Sequence, residues 1–177
     1  GGSSERYRLS GKFASTNGDS QWKANAYAIG YALKLINNFD GFVTFPPPVG
    51  DQFEQQERRQ IIGGTASYTK FGKLLDRPSD TTFGFDTRTD FNHMALYETT
   101  NAVPRFAVRA DRIAETSAGV YAENRTQWLP WFRSVAGVRQ DVFYGADTSA
   151  PFAANSGSAA KGLFSPKASA IFGPWQR

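Results

Sequence analysis

The chain has 177 residues and a formal net charge of +4, with 40% hydrophobic, 20% charged and 15% aromatic residues. Its basic residues are scattered among acidic ones, which argues against a nucleic-acid partner, and no apolar run approaches the roughly 18 residues of a membrane helix. The sequence contains no cysteine, which excludes disulfides and thiolate metal sites. Leucine is sparse and aromatic residues are abundant, which favours an all-β architecture.

Seven strands are predicted in chain order, because apolar and polar side chains alternate with the two-residue period of a β-strand. The predicted strands are residues 5–15, 21–39, 53–71, 82–99, 113–128, 132–147 and 161–172. The TNGD sequence at 16–19 predicts a tight hairpin turn, and Gly30 is interpreted as a bulge. Residues 72–81 and LPW at 129–131 are further connections. Longer loops are predicted at 40–51, 101–111 and 148–160.

The two faces of the predicted strands differ in character. The apolar faces are rich in Ala, Gly and Thr, which would leave a soluble core underfilled but suit a surface that contacts lipid. The opposite faces carry charges of alternating sign, which are typical of a polar barrel lumen. We therefore expect lipid on the apolar side. The residues expected to face the lumen or a plug domain are Arg88, Arg125, Arg133, Arg139 and Asp141.

The four tryptophans support this orientation. Trp22, Trp128, Trp131 and Trp175 all lie beside connections that fall at one end of an up-and-down sheet. The connections at that end are mostly short, whereas those at the other end are longer. Short turns, long loops and an aromatic girdle at a membrane interface are features of outer-membrane barrels. These four residues are therefore predicted to lie at the membrane interface.

Four segments carry a family resemblance: GGTASYTKFGKLL, TRTDFNHMALYET, VYAENRTQWLPWFRSVAGVRQDVFY and SGSAAKGLFSPKASAIFGPW. Their order and spacing resemble consecutive barrel strands of a TonB-dependent outer-membrane receptor, and the resemblance extends from RYRLSGKF to GPW. It implies a 22-stranded barrel filled by an N-terminal plug domain. Such receptors take up scarce ligands such as iron chelates or cobalamin, powered by an inner-membrane complex.

The expected fold is thus an all-β, antiparallel, up-and-down wall of a transmembrane β-barrel, with about seven or eight strands of a larger barrel. Residues 1–177 are interpreted as a partial barrel domain, without plug, coupling box or signal peptide, that is not transport-competent alone. The implied partners are outer-membrane lipid, the plug domain and remaining strands, the TonB energy-coupling complex through regions outside this chain, and an unidentified small ligand. The implied location is the outer membrane of a Gram-negative bacterium.

No catalytic constellation is expected. The single histidine, His93, falls on the apolar face between Phe91 and Ala95 and is interpreted as an interfacial or packed ring. Acidic residues alternate with arginines, which favours ion pairs over paired catalytic carboxylates. We expect no enzyme activity, no metal and no cofactor. If a ligand binds, aromatic and cationic residues of the long loops are the candidates: Phe42, Phe45, Arg105, Phe106, Arg109 and Phe152.

Two alternatives remain open from the sequence. One is a small stand-alone outer-membrane barrel or pore, and the other is a soluble β-sandwich that serves as a binding module. The sandwich requires Ala118, Val120, Val138 and Val142 to be buried between two packed sheets. The barrel requires the same residues to be exposed on one surface.

Overall fold

A computed structural model describes residues 1–38, 41–43, 46 and 50–174 of the chain. These residues form a single antiparallel sheet of seven strands in the order β1-β2-β3-β4-β5-β6-β7, with one short 3-10 helix, Ala153–Asn155, before the last strand. Each strand pairs only with its neighbours in sequence, so the topology is up-and-down. The strands are β1 (Gly2–Asn17), β2 (Ser20–Asn38), β3 (Gln52–Leu74), β4 (Arg77–Thr100), β5 (Val103–Leu129), β6 (Phe132–Ala150) and β7 (Gly157–Phe172).

Three two-residue turns define one end of the sheet, here called the turn end. They join β1 to β2, β3 to β4 and β5 to β6. The predicted TNGD turn is confirmed, with Gly18 at a positive φ of 55°. The connection predicted at 72–81 shrinks to Leu75 and Asp76, which both adopt positive φ angles of 50° and 60°. Positive φ at both central residues fits the right-handed twist of a hairpin.

At the opposite end, here called the loop end, β5 and β6 extend further than the sequence predicts. The loop predicted at 101–111 is wrong: Asn101 and Ala102 form a two-residue turn with φ angles of 51° and 64°, and the following residues already belong to β5. The NAVPRFAVRAD sequence has no glycine at the two positions with positive φ, so it carries no strong local signal for this turn. The loop predicted at 148–160 shortens to 151–156, whereas the loop predicted at 40–51 is described only at 41–43, 46, 50 and 51.

The irregularities of the sheet lie elsewhere than predicted. Gly30 pairs with Tyr7 and Gln60 in continuous ladders, so the bulge predicted there is wrong. The register shifts occur instead between β4 and β5 near Leu96–Thr99, and between β5 and β6 near Gln127–Leu129. A bulge bends a strand and increases its local twist. The observed shifts therefore bend the sheet at both of its ends rather than in the middle of β2.

The register separates the side chains into two faces. The ionic face is the side that carries Asp86, Asp141 and Arg139, and the belt face is the side that carries Val120 and Val138. Neighbouring strands present matching residues to the same face, because directly paired residues point to the same side of a sheet. Examples are the Asp86–Gly119–Asp141 row on the ionic face and the Ala122–Val138–Pro166 row on the belt face.

The described residues form one layer without a hydrophobic core. Val135 is the only apolar side chain classed as buried among them, and the other buried side chains are polar or charged. The accessible surface is 12208 Å², whereas a compact folded chain of this mass would expose about 8,500 Å². Val120, Val138 and Val142 are 55%, 48% and 53% exposed. A sandwich of two packed sheets is therefore not formed by these residues.

The sheet does not close on itself, since the described parts of β1 and β7 each pair along one side only. Both outer strands are 16 residues long, and nearly all of their side chains are exposed. A long, open strand edge presents a row of unpaired backbone N–H and C=O groups, which natural proteins cover or pair. The fold class is thus all-β and up-and-down, with two edges that can accept further strands.

Candidate functional site

The ionic face is organised around Arg139 of β6. Its guanidinium donates to Asp86 of β4 through Nη1 and Nη2, at 2.7 and 3.0 Å. It also donates to Asp141 through Nε, at 2.9 and 2.8 Å to the two carboxylate oxygens. Bidentate guanidinium–carboxylate pairs are short, directional and stronger than neutral hydrogen bonds. One arginine therefore ties together two acids that would otherwise repel each other.

Glycine makes room for this cluster. Gly119 lies between Asp86 and Asp141 in the paired row, and a Cβ atom there would lie less than 3.0 Å from both Arg139 and Asp141. The same arrangement recurs with aromatic rings on this face: Tyr121 covers Gly84 and Tyr27 covers Gly63. Because glycine has no side chain, a long side chain on the neighbouring strand can lie flat over it. At these three positions of the ionic face, a large side chain thus lies over a glycine of the neighbouring strand.

Two further ion clusters flank the central one. Arg59 of β3 donates through Nε to both oxygens of Asp90, at 2.9 and 3.0 Å, and Arg88 adds a contact of 3.1 Å. The Asp90 side chain is only 6% exposed. On the other side, Glu123 of β5 pairs with Lys167 at 2.9 Å and with Arg125 at 3.6 Å. The ionic face therefore carries compensated charge from β3 to β7.

The residues predicted to face a lumen or plug all lie on the ionic face. Arg88, Arg139 and Asp141 belong to the clusters described above, and Arg125 makes the longer contact with Glu123. Arg133 is exposed near the turn end, and its paired neighbours are Gln127 and Ile171. The structure shows that these side chains share one surface.

Part of the ionic face forms a shallow open pocket of about 310 Å³. Its lining includes the Arg59–Asp90–Arg88 cluster, with Glu115 and Phe143 on the neighbouring strands. Three oxygens of this face are shielded from solvent and have no hydrogen-bond partner among the described residues: Oδ1 of Asn25, Asn92 and Asp147. Shielded polar atoms are normally hydrogen-bonded in native proteins. The ionic face therefore holds three side-chain oxygens without a donor among the described residues.

The belt face carries a continuous apolar belt across all seven strands. Its large side chains are between 44% and 77% exposed: Tyr7, Leu9, Phe13, Trp22, Ile62, Phe83, Phe85, Phe91, Val120, Val138, Val142, Tyr144, Phe164 and Phe172. On β2 the belt runs from Trp22 to Ala32 through alanine and glycine only. These ten steps span about 33 Å along the strand, or about 23 Å along the axis at a strand tilt of roughly 45°.

Aromatic rings concentrate at the turn end of the belt. Trp22 packs against Tyr68 of β3, with ring centroids 4.7 Å apart. Trp131 and Phe172 stack at 6.2 Å, and Phe132 lies 5.0 Å from Phe172. Trp128 donates from Nε1 to the Ser134 hydroxyl at 2.7 Å. Amphipathic rings with one satisfied polar edge are suited to a boundary between an apolar and an aqueous phase.

Three of the four tryptophans predicted at a membrane interface are thus placed at one end of the sheet. Trp22, Trp128 and Trp131 lie at the turn end, whereas Trp175 lies outside the described residues. Beyond these rings, Lys70 binds Asp19 of the first turn. This hydrogen bond from Lys70 lowers the pKa of the Asp19 carboxyl. Charged and turn residues therefore follow directly after the aromatic rings.

The described residues among the predicted ligand-binding set belong to the loop end, but not all of them lie in loops. Phe42 and Phe152 lie in connections and are each 54% exposed, and Phe45 lies outside the described residues. Arg105, Phe106 and Arg109 lie on β5, which corrects their predicted loop position. The Arg109 charge is paired with Asp111 at 2.6 Å. No hydrogen bond or ion pair joins any two of the five described candidates.

Several residues that build the site were not predicted as site residues. Tyr27 and Tyr121 cover glycines of the neighbouring strand, and Asp86 and Asp90 are the acids that the central arginines bind. The alternation of the strands placed the acids on the charged face, but it did not reveal their partners. A long-range partner is set by strand register, which the chain order of residues does not give directly. A glycine paired directly with a tyrosine is the sequence signal for this arrangement, but it can be recognised only when the strand register is known.

His93 lies on the belt face, directly after the last aromatic ring of the apolar belt on β4, and it is exposed. The sequence placed His93 on the apolar face between Phe91 and Ala95, and the register puts all three on the same face. Within the described ranges, no group of three or more histidine, cysteine or acidic residues is arranged to hold a metal ion. Those ranges also contain no helix with the length and hydropathy needed to cross a membrane.

Comparison of the sequence with protein-family models gives no match, and a search among curated proteins finds no relative. The geometry of the described residues therefore defines the structural class of the chain. It is an all-β, up-and-down antiparallel sheet, one face of which is apolar and exposed while the other is ion-paired.

Proposed function

We propose that this chain forms part of the wall of an outer-membrane β-barrel receptor of the TonB-dependent type. In this proposal the belt face contacts lipid, and the ionic face lines the lumen and contacts a plug domain. The turn end faces the periplasm and the loop end faces the exterior, because barrels of this kind have short periplasmic turns and longer external loops. The scarce ligand, such as an iron chelate or cobalamin, is taken up from the exterior.

The single observation that carries the proposal is the opposite character of the two faces of one layer. The apolar belt has a height of about 23 Å, against about 25 Å for the lipid-facing band of outer-membrane barrels. Leaving so many half-exposed aromatic and aliphatic side chains in water would be costly, at about 25 cal/mol for each Å² of apolar surface. Lipid removes that cost, and the ionic face provides the polar interior.

The polarity of the ionic face supports the proposal that this side of the sheet contacts a plug domain or water. Its central arginines, Arg59, Arg88 and Arg139, are already paired with Asp86, Asp90 and Asp141, so the middle of the surface is strongly polar without a large net field. The shielded oxygens of Asn25 and Asn92 still lack donors among the described residues. A lumen filled by a polar domain therefore fits the chemistry of this face.

The open edges support the assignment to a larger barrel. β1 and β7 each have 16 residues and an unpaired side. A sheet can span a membrane only when it closes, because lipid cannot satisfy backbone hydrogen bonds. Seven strands with two free edges are therefore completed by additional strands. In the proposal those strands belong to the same receptor.

Membrane fractionation tests the location first. The receptor that contains this chain should stay with carbonate-washed outer membranes, should dissolve only in detergent, and should change its gel mobility on heating. A protein that remains monodisperse without any amphiphile would contradict the proposal. Uptake of iron chelates and of cobalamin should then be measured in cells with and without the energy-coupling complex. Uptake of one of these ligands that requires both the receptor and the complex is the expected result.

A further inference from the structure

Three residues at the loop-end border of the apolar belt form a row across the belt face. Arg58 of β3 pairs directly with His93 of β4, and His93 pairs directly with Arg112 of β5. We call these three residues the Arg–His–Arg row. Adjacent strands are about 4.8 Å apart, so the two arginine backbones are separated by about 10 Å with the imidazole between them. Both guanidiniums can therefore reach a common point above His93.

All three side chains of the row are exposed, and none has a hydrogen bond or ion pair to any other described residue. This differs from the ionic face, where Arg59, Arg88 and Arg139 each bind a carboxylate. Like charges that face each other across strands destabilise a sheet unless a counter-charge compensates them. The row thus concentrates positive charge that no described residue of the protein neutralises.

The nearest acids on the belt face are committed elsewhere. Glu54 lies further toward the loop end on β3 and pairs with Lys34 at 3.1 Å. Glu5 of β1 lies in the same paired row as Arg58, with Ala32 of β2 between them, and accepts from the Tyr7 hydroxyl at 3.3 Å. Neither carboxylate contacts the row. No ion pair among the described residues therefore compensates the row, and its guanidiniums are free to bind an anion from outside the described chain.

The position of the row identifies that partner. On β4 the side chain before His93 on the belt face is Phe91, which is 45% exposed at the border of the apolar belt. Because β5 runs antiparallel to β4, the neighbour of Arg112 toward the turn end on this face is Ala114. A molecule seated on the row therefore touches apolar surface with one part and cations with the other. A lipid has this composition, with acyl chains on the belt and an anionic headgroup above them.

We infer that the Arg–His–Arg row binds the phosphate group of an anionic lipid headgroup in the membrane leaflet at the loop end. This inference rests on the proposed orientation of the belt face toward lipid. The guanidinium forks of Arg58 and Arg112 bind the phosphate oxygens with charge-assisted hydrogen bonds, and arginine is well suited to this recognition. His93 supplies a third donor from below the phosphate.

A titration with defined lipids tests the inference. The detergent-solubilised receptor that contains this chain is titrated with short-chain phosphatidic acid, with short-chain phosphatidylcholine and with inorganic phosphate. The test variant is R58Q/R112Q, which removes both arginines of the row. The matched control is R6Q/R133Q, which removes two exposed arginines of the ionic face and makes the same change in net charge. All four positions are exposed and free of ion pairs within the described part of the chain.

We expect phosphatidic acid to bind the R58Q/R112Q variant about 25-fold more weakly than the parent, at about fivefold for each arginine. The R6Q/R133Q control should bind it like the parent, and phosphatidylcholine should bind all proteins weakly. Equal affinity of phosphatidic acid for all proteins would overturn the inference. Competition by inorganic phosphate at the same concentration as the lipid would also overturn it, because the site would then recognise a free anion.

The experiment separates this inference from the proposed function. If only R6Q/R133Q weakened lipid binding, the ionic face would contact lipid, and the proposed orientation itself would be wrong. If neither variant changed lipid binding while the protein still required detergent, the barrel assignment would stand and the role of the row would fall. Each result therefore contradicts either the proposed orientation of the two faces or the lipid-binding role of the Arg–His–Arg row.

Discussion

Arg139 of β6 and Asp86 of β4 form a bidentate ion pair, at 2.7 and 3.0 Å, although the whole of β5 lies between their strands. The arginine crosses β5 at Gly119, the one position in that row where a side chain is absent. The pair therefore depends on three strands at once. It fixes the register of β5 against both neighbours in addition to the backbone ladders, and it keeps two acids compensated on the ionic face.

The crossing point gives the first prediction. Gly119→Val should lower the free energy of unfolding by about 1–3 kcal/mol, because its side chain would collide with Arg139 and Asp141 and displace the ion pair. The measurement is a denaturant titration in detergent micelles or vesicles. Gly145→Val is the control, since nothing lies within 4 Å of a Cβ at Gly145. Its effect should stay within about 0.5 kcal/mol. Similar losses for both variants would show that the space at Gly119 is unimportant.

The second prediction concerns the value of the ion pair itself. A double-mutant cycle with Arg139→Gln and Asp86→Asn should give a coupling energy of about 1 kcal/mol, since both side chains are about one third exposed and water screens their attraction. Arg139→Gln should cost more than Asp86→Asn, because it leaves Asp86 and Asp141 without a cation between them. A coupling energy near zero would mean that the contact does not stabilise the sheet.

The third prediction compares the two faces at similar depth. Val138→Arg on the belt face should cost about 2–4 kcal/mol in folding into lipid vesicles, the penalty for a charge near the bilayer midplane. Leu163→Arg is the matched control, because Leu163 is 50% exposed on the ionic face and pairs with Asp141. It should be nearly neutral. The proposed orientation fails if Leu163→Arg is the more damaging of the two.

A fourth prediction concerns the tryptophans at the turn end. Variants that keep only Trp22, only Trp128 or only Trp131 should be quenched most strongly by lipids brominated near the headgroup. Quenching should be weaker with bromine at the acyl-chain ends, since amphipathic rings prefer the interface. The measurement is steady-state fluorescence in vesicles of each lipid. Maximal quenching from the bilayer centre for all three would exclude an interfacial girdle.

The sequence alone predicts the class and order of the strands well, for a physical reason. A strand with one apolar and one polar face must alternate with period two, so β2 and β6 are visible without any partner. The turn at Gly18 was equally clear, since Asn-Gly has a strong local preference for that geometry. The turn at Asn101–Ala102 could not be predicted, because positive φ is unfavourable for these residues and only the pairing of the two strands compensates for it.

The contacts between distant residues could not be predicted in the same way. Alternation places Arg139 and Asp86 on one face, but only the register shows that Gly119 opens the path between them. The Arg–His–Arg row has the same origin, since its members are separated by 35 and 19 positions and meet only through pairing. A shift of one residue in either ladder would send one member to the other face.

The most direct test of the central claim is a measurement of which face touches hydrocarbon. The chain lacks cysteine, so a spin label can be attached to a single introduced cysteine at Val120, Val138, Ser117 or Ser165 of the receptor in vesicles. Collision rates with oxygen, which concentrates in lipid, and with a water-soluble nickel complex report the surroundings of each label. The account predicts high oxygen and low nickel accessibility at Val120 and Val138, and low oxygen accessibility at Ser117 and Ser165, which face the lumen or the plug domain. High nickel accessibility at Val120 and Val138 would contradict it.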